Sequence, residues 1–414
     1  MPDDIYSVYY NDINASEKIG DHLYTLLLNL LESKKYKTIK VICIGTDRSS
    51  GDCLGPLVGT FLSENLDIEY LDILGTVDDP VHAGNIENIC NDIRDDDLVI
   101  AIDASLTEVK VNVGNISIGL GPIKPGSGVG KDLPEIGDVN IYTIIGLLES
   151  DAYDNFCNLI NMNLNEIYNV AGVVSNCLKN AFLKLDNYIK ENTNLGFKLE
   201  PLSKPPKEII YVNQVEQCLE LKKDIISKLN RKLALIKTGK YKSILVLNLG
   251  DRCGTGNSLG PLIGDSLSKN IKHPNIKVFG TMEDPLIIEN LPTIIRNIEP
   301  DDFVITIRPG LTFNSSRIGT VELLDKVNFF SENIDKKLSR ESKINISGLI
   351  NIGFPFNDID FVVMNCTSLS VILQLAKVIA EGLEKTLPNY LPYLKDNNNL
   401  TSKKQLVLKN KIDN

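Results

Sequence analysis

Residues 41–59 read VICIGTDRSSGDCLGPLVG, and residues 246–264 read VLNLGDRCGTGNSLGPLIG. The first stretch opens with the apolar run Val41–Ile44, stops at Gly45, crosses a polar loop to Asp52 and enters a helix around Pro56. A buried strand, a glycine-containing loop and a proline near the first helical position make half of a βαβ unit. In open α/β sheets ligands gather at the carboxyl ends of strands, where this loop lies. The second stretch repeats the pattern 205 residues later, from Gly45 to Gly250 and from Gly55 to Gly260. A third segment follows at the same offset: GTVDDP at 75–80 and GTMEDP at 280–285. Two units mark a duplication and not a solenoid.

Around the first stretch, strands and helices alternate. A helix is expected over Ser16–Lys35, with Ile19, Leu23, Leu26, Leu27, Leu30 and Leu31 on one face. Strands are expected at Thr38–Ile44, at Ile68–Leu74, at Leu98–Ile102 ending on Asp103, at Val111–Ile118 and at Asn140–Leu147. Further helices are expected over Pro56–Asn65, Ile86–Arg94 and Ala171–Leu185, with residues 1–14 irregular. The fold class is therefore α/β, with mostly parallel sheets covered on both faces in two tandem domains. The expected limits are 1–190 for the first domain, 191–208 for a proline-bearing linker, 209–395 for the second domain and 396–414 for a polar tail.

The 414 residues suffice for two such cores. The formal charge of −11 and pI near 5 argue against a nucleic-acid surface. No apolar run is long enough to span a bilayer, and the acidic start MPDDIYSVYYND has no basic-then-apolar leader pattern. The expected partners thus include neither nucleic acid nor membrane, and the expected compartment is the cytoplasm. Eight cysteines without a CxxC pair, and only three histidines, point to small buried thiols in a reducing compartment and to no structural zinc.

Comparing the two copies separates framework from chemistry. The glycines at 45/250, 51/256, 55/260, 59/264 and 75/280 and the prolines at 56/261 and 80/285 recur. Three polar residues do not: Asp52 becomes Asn257, Asp103 becomes Arg308, and His82 becomes Ile287. Capping accounts for Asp52 and Asn257 together, because Asp and Asn cap helices about equally well. A strand-end turn accounts poorly for Asp103 against Arg308. Joint loss of two carboxylates from one rim is what retirement of a shared site produces. Asp52 and Asp103 are thus the candidate catalytic pair.

Taken together, GDCLGP around Asp52, VIAIDAS around Asp103 and IKPGSGVG at 123–130 resemble the bacterial spore germination protease, and more closely its shorter relatives of the YyaC type. The likeness covers about residues 38–185, and more faintly the second copy. It implies a three-layer αβα, phosphorylase/hydrolase-like fold shared with hydrogenase-maturation endopeptidases. It also implies an atypical aspartic endopeptidase acting on a protein or peptide substrate in a spore-forming bacterium, in mother cell or forespore, through Asp52 and Asp103. The long additional segments and recognisable prosequence of the full germination protease are missing, so substrate recognition does not carry over.

Substrate-binding candidates beside the pair are His82, Lys124, Gly126, Ser127 and Gly128. The glycines bring backbone amides close to a substrate. His82 either orients substrate or joins the aspartates at a metal, and for want of further ligands no cofactor or metal is expected. Ser127 lacks a histidine partner, and a Cys53–His82 nucleophile is disfavoured by the apolar setting of Cys53. The second copy is expected to be a degenerate pseudo-enzyme, forming an intramolecular pseudo-dimer with the first. Two other readings stay open. One is a non-catalytic sporulation protein that uses a protease-like fold for binding. The other is a phosphate binder, which lacks a Walker A or GxGxxG signature.

Overall fold

The computed structural model describes residues 5–126, 133–192, 196–197, 199–202, 208–324, 338, 341–353 and 357–395. Ser127, Gly128, the tail from 396 and part of the expected linker lie outside the described residues. The chain divides into two compact units: residues 1–207 with 253–255 and 365–370, and the remainder.

Unit one runs β1 (Tyr6–Tyr9), α1 (Ala15–Ser33), β2 (Thr38–Cys43), α2 (Leu54–Asn65), β3 (Leu71–Leu74), α3 (Ile86–Asn91), β4 (Asp97–Thr107), β5 (Asn115–Leu120), β6 (Val139–Leu147), α4 (Ala152–Ile160) and α5 (Leu164–Glu191). Its sheet has the order β1-β5-β6-β4-β2-β3. The strands β6, β4, β2 and β3 are parallel, and β5 is antiparallel to both of its neighbours. Helix α1 buries Ile19, Leu23, Leu27 and Leu31, a four-residue repeat that makes one stripe. Gly20 of that stripe lies against the backbone of Cys177, which brings α1 and α5 close together. Another face of the sheet buries Ile42, Ile44, Val99 and Ala101 under Ile86 of α3 and Ile136.

Unit two runs α6 (Glu208–Leu233), β7 (Ser243–Asn248), α7 (Leu259–Asn270), β8 (Ile276–Phe279), α8 (Leu291–Arg296), β9 (Asp302–Thr312), β10 (Val321–Leu324), β11 (Ser342–Ile352), α9 (Asn357–Asn365) and α10 (Leu369–Thr386). Its sheet is β10-β11-β9-β7-β8, parallel except at β10. The chain is thus a doubled, mostly parallel α/β fold.

The recurring glycines have one physical reason. A Cβ on Gly55 would stand 2.8 Å from the backbone N and C of Ile44, and one on Gly59 would overlap the carbonyl of Gly75. The start of α2 therefore sits directly on the ends of β2 and β3. Gly260 meets Leu249, and Gly264 meets the carbonyl of Gly280, in the same way. A recurring acid is also structural. Asp97 is 3% exposed, accepts from Thr38 Oγ1 and takes the backbone N–H of Arg94 at 2.9 Å. Asp302 repeats this with Ser243 Oγ and the N–H of Glu299 at 2.8 Å.

Several local expectations are corrected. Residues 6–9 are a strand, held by pairing with β5. The stretch expected as a strand from Val111 begins with a 3-10 turn, Lys110–Asn112, and the strand starts at Asn115. The closing helix is longer, reaching from Leu164 to Glu191. The strand β4 does not end at Asp103 but continues to Thr107, because β6 pairs with it that far. Within the expected linker, Glu200 N–H bonds to Lys37 O at 2.7 Å and Leu202 N–H to Glu69 O at 2.8 Å.

Candidate active site

Asp103 sits where a strand loses one neighbour. The strand β2 pairs with β4 only as far as Cys43 opposite Ile102. The N–H of Ile44 still reaches Ile102 O at 2.7 Å, and then Gly45, at φ +146°, turns the chain away. A side chain at Gly45 would strike the carbonyl of Asp52, so the loop folds back on itself there. Asp103 is the first β4 residue past that departure, half-buried, and its own strand continues. One carboxylate oxygen of Asp103 accepts from the N–H of Ala104 at 2.8 Å.

Asp52 ends the returning loop. The N-cap position of α2 belongs to Cys53, which makes no side-chain cap bond. Asp52 and Asp103 line a cleft of about 600 Å³ together with Asp47, Arg48, Asp78 and His82. Burial pushes the Asp103 carboxyl well above the ordinary range, and the charge on Asp52 pushes it further; the Ala104 N–H works against both. The two carboxyls are thus electrically coupled.

A second cavity, of about 440 Å³, also opens on both carboxylates. Its walls are Leu106, Ile123, Tyr142, Leu148 and Leu159, and Lys124 and Gly126 stand at it as well. Gly126, at φ +74°, borders both cavities.

His82 is not a helix-start residue, since α3 begins at Ile86 with Asn85 at its N-cap. Its backbone N–H bonds to Asn85 Oδ1 at 2.8 Å, and its Nδ1 accepts the N–H of Gly84 at 3.0 Å. With Nδ1 occupied as an acceptor, a neutral ring carries its hydrogen on Nε2. The ring is therefore set as a donor and is poorly set to ligate a cation through Nε2. Unit two keeps the turn, with Ile287 N–H on Asn290 Oδ1 at 3.0 Å, but has Glu289 where Gly84 stands. The glycine that holds the ring and the ring itself are absent together. Among the described residues, no three His, Cys, Asp or Glu side chains converge in a way that would hold a metal.

Cys53 is fully buried, and burial followed by the charges of Asp52 and Asp47 drives its thiol far up, which removes it as a nucleophile. The eight cysteines are unbridged. No helix among the described residues is long and apolar enough to cross a membrane.

Of the expected residues, the structure brings together Asp52, Asp103, His82, Lys124 and Gly126 around the two cavities. The sequence reading missed Tyr142, Leu106, Leu148, Leu159, Asp47 and Asp78. Tyr142 reaches the site through the β4–β6 register, where it stands opposite Asp103. The antiparallel β5 inserted before β6 hides that register from the sequence.

A family model matches residues 7–177 and again 213–382. The chain belongs to the DUF1256 family, described as a protein of unknown function. The family pattern thus occurs twice in the chain. The uncharacterized protein YyaC of Bacillus subtilis (strain 168) is 42% identical over 171 residues, 41% of this chain and 79% of that protein. Solved structures are matched more distantly. A NiFe hydrogenase maturation protease, HycI from Thermococcus kodakarensis KOD1, is 12% identical over 33% of this chain and 92% of its own, with a TM-score of 0.21. A putative sugar binding protein from Salmonella typhimurium LT2 is 11% identical over 89% of this chain and 97% of its own, with a TM-score of 0.23. At these scores shape carries no functional weight, so function is argued from the site.

Proposed function

We propose that unit one is an aspartate-dependent endopeptidase and that unit two is a pseudo-enzyme. The observation that carries this is the pair itself: Asp52 and Asp103 line one cleft of about 600 Å³, where burial and then the charge of Asp52 push the Asp103 carboxyl well above the ordinary range. Such a pair divides the labour of acid and base. Asp52 accepts a proton from a water whose oxygen bonds to the scissile carbonyl carbon. As the C–N bond breaks, the amine nitrogen takes the proton of Asp103. The pair ends with one proton, now on Asp52, and exchange with solvent resets it. The titration belongs to the pair. His82 presents an N–H donor to the same cleft, suited to hold a substrate carbonyl. Unit two, with Asn257 and Arg308 at the paired positions, has neither acid. Resemblance of the motifs to the spore germination protease supports a protein substrate in sporulation or germination.

The test is incubation of the full chain with a proteome-derived peptide mixture, followed by mapping of new termini. Asp52→Asn and Asp103→Asn are each expected to lower cleavage by about 10²-fold or more, the usual worth of a general acid or base. Cleavage unchanged in both variants would refute the assignment.

A further inference from the structure

The two cavities that meet at the carboxylates differ in kind. The first is bordered by Asp47, Arg48, Asp78 and His82. The second takes Leu106, Ile123, Tyr142, Leu148 and Leu159, all half-buried, beside Ser105 and Lys124. Apolar walls around a space of about 440 Å³, ending on a pair of acids, are the features of a side-chain pocket.

The sheet adds a second observation. From Asp103 to Thr107, β4 is paired with β6 on one side. On the other side, among the described residues, no strand pairs with it beyond Ile102. That margin runs along the second cavity through Ala104, Ser105 and Leu106. An extended polypeptide laid there adds main-chain hydrogen bonds and sends alternate side chains to opposite faces.

Unit two supplies an internal control. Tyr142 stands opposite Asp103, whereas Ser347 stands opposite Arg308 in the matching register. The residue after the Thr107–Leu147 pair is Leu148, and the one after the Thr312–Ile352 pair is Gly353. Two of the five walls, Tyr142 and Leu148, are thus replaced where the acids are replaced, while Leu106 and Leu159 keep apolar counterparts in Leu311 and Met364.

We infer that the second cavity is the specificity subsite of unit one, taking one large apolar side chain, of leucine or phenylalanine size, from the residue beside the scissile bond of an extended substrate. This rests on the peptidase reading, and the test separates the two. A peptide panel with Leu, Phe, Ala, Gly or Asp at one position is measured twice on the full chain. Binding is read with the Asp52→Asn/Asp103→Asn variant, and cleavage with the parent protein. Leu and Phe peptides are expected to be preferred over Gly and Asp by roughly tenfold or more in both measurements, the scale set by apolar pocket contacts. Leu106→Trp, which fills the pocket, is expected to reverse the preference towards Ala and Gly. Tyr142→Ser, which opens it, is expected to broaden the preference, and circular dichroism checks that both variants are folded. Cleavage without apolar preference, or preference unmoved in both folded variants, overturns the subsite and leaves the peptidase standing. Apolar-selective binding that Leu106→Trp abolishes, without any cleavage, upholds the subsite and overturns the peptidase. Neither binding nor cleavage of any peptide overturns both.

Discussion

Asn248 offers a quantitative test of how unit two is built. It is fully buried at the end of β7, and its Nδ2 donates to Phe279 O at 2.8 Å. Its Oδ1 is the one buried side-chain polar atom without a partner among the described residues. The same place in unit one holds Cys43, also fully buried. Asn248→Cys therefore transplants a side chain of similar bulk into a nearly identical seat, beside Gly264 and Gly280 instead of Gly59 and Gly75. The exchange removes a buried unsatisfied oxygen, which costs about 1–3 kcal/mol where it stands. It also loses one neutral hydrogen bond, worth about 0.5–1.5 kcal/mol net. The balance is a stabilisation of about 1 kcal/mol, or about 2–4 °C in the melting of a unit this size. The chain has no tryptophan, so calorimetry or far-UV circular dichroism in urea is the suitable assay. A lower melting temperature for Asn248→Cys would refute the reasoning, because it would mean that Oδ1 is satisfied in solution, by a buried water for instance.

Other expectations follow from the same geometry. Gly172 in α5 has nothing within 4 Å of the place an added methyl would take, so Gly172→Ala should stabilise by about 0.5–1 kcal/mol, whereas Gly55→Ala, which strikes the backbone of Ile44, should destabilise by about 1–3 kcal/mol or more despite the same gain in helix propensity; urea midpoints decide both. Because the folded-state pKa of Asp103 is raised above its unfolded value, the native state holds a proton that the unfolded chain has released, and stability is lost as pH rises through that window. Asp103→Asn should accordingly be more stable than the parent at neutral pH, with the difference vanishing below about pH 4; a constant difference across pH would contradict the burial argument. Gly84→Ala puts a methyl 3.1 Å from Cε1 and 3.2 Å from Nδ1 of His82, so it should displace the ring and impair turnover in the same direction as His82→Ala but less, while leaving the fold intact by circular dichroism.

The doubled α/β frame was legible because its signals are local. Apolar runs ending at glycine, and Pro56 or Pro261 at a helix start, announce strand, loop and helix without reference to distant residues. Asp52 and Asp103 were singled out by the copy that lacks them, and the structure sets both at the same two cavities. What stayed hidden depends on pairing. The segment YSVY shows mostly exposed residues and becomes a strand only because β5 is beside it. Ser105 and Thr107 look like loop residues, yet β6 carries β4 through them. The apolar cavity is assembled from β4, β6, α4 and the segment around Ile123, whose proximity no single window of sequence records. The helix begins at Leu54 and leaves the N-cap position to Cys53, one residue past Asp52.

The seat of α2 on β2 and β3 has a consequence for recognising relatives. Its letters are dictated by backbone crowding, which is the same in both halves: each forfeits its helix seat if a methyl is added there. A search weighted on those letters measures whether a domain can fold, and it ranks the two halves alike although they differ at Asp52/Asn257 and Asp103/Arg308. Sorting members by the identities at the positions of Asp52, His82, Asp103 and Tyr142 would separate them by chemistry instead.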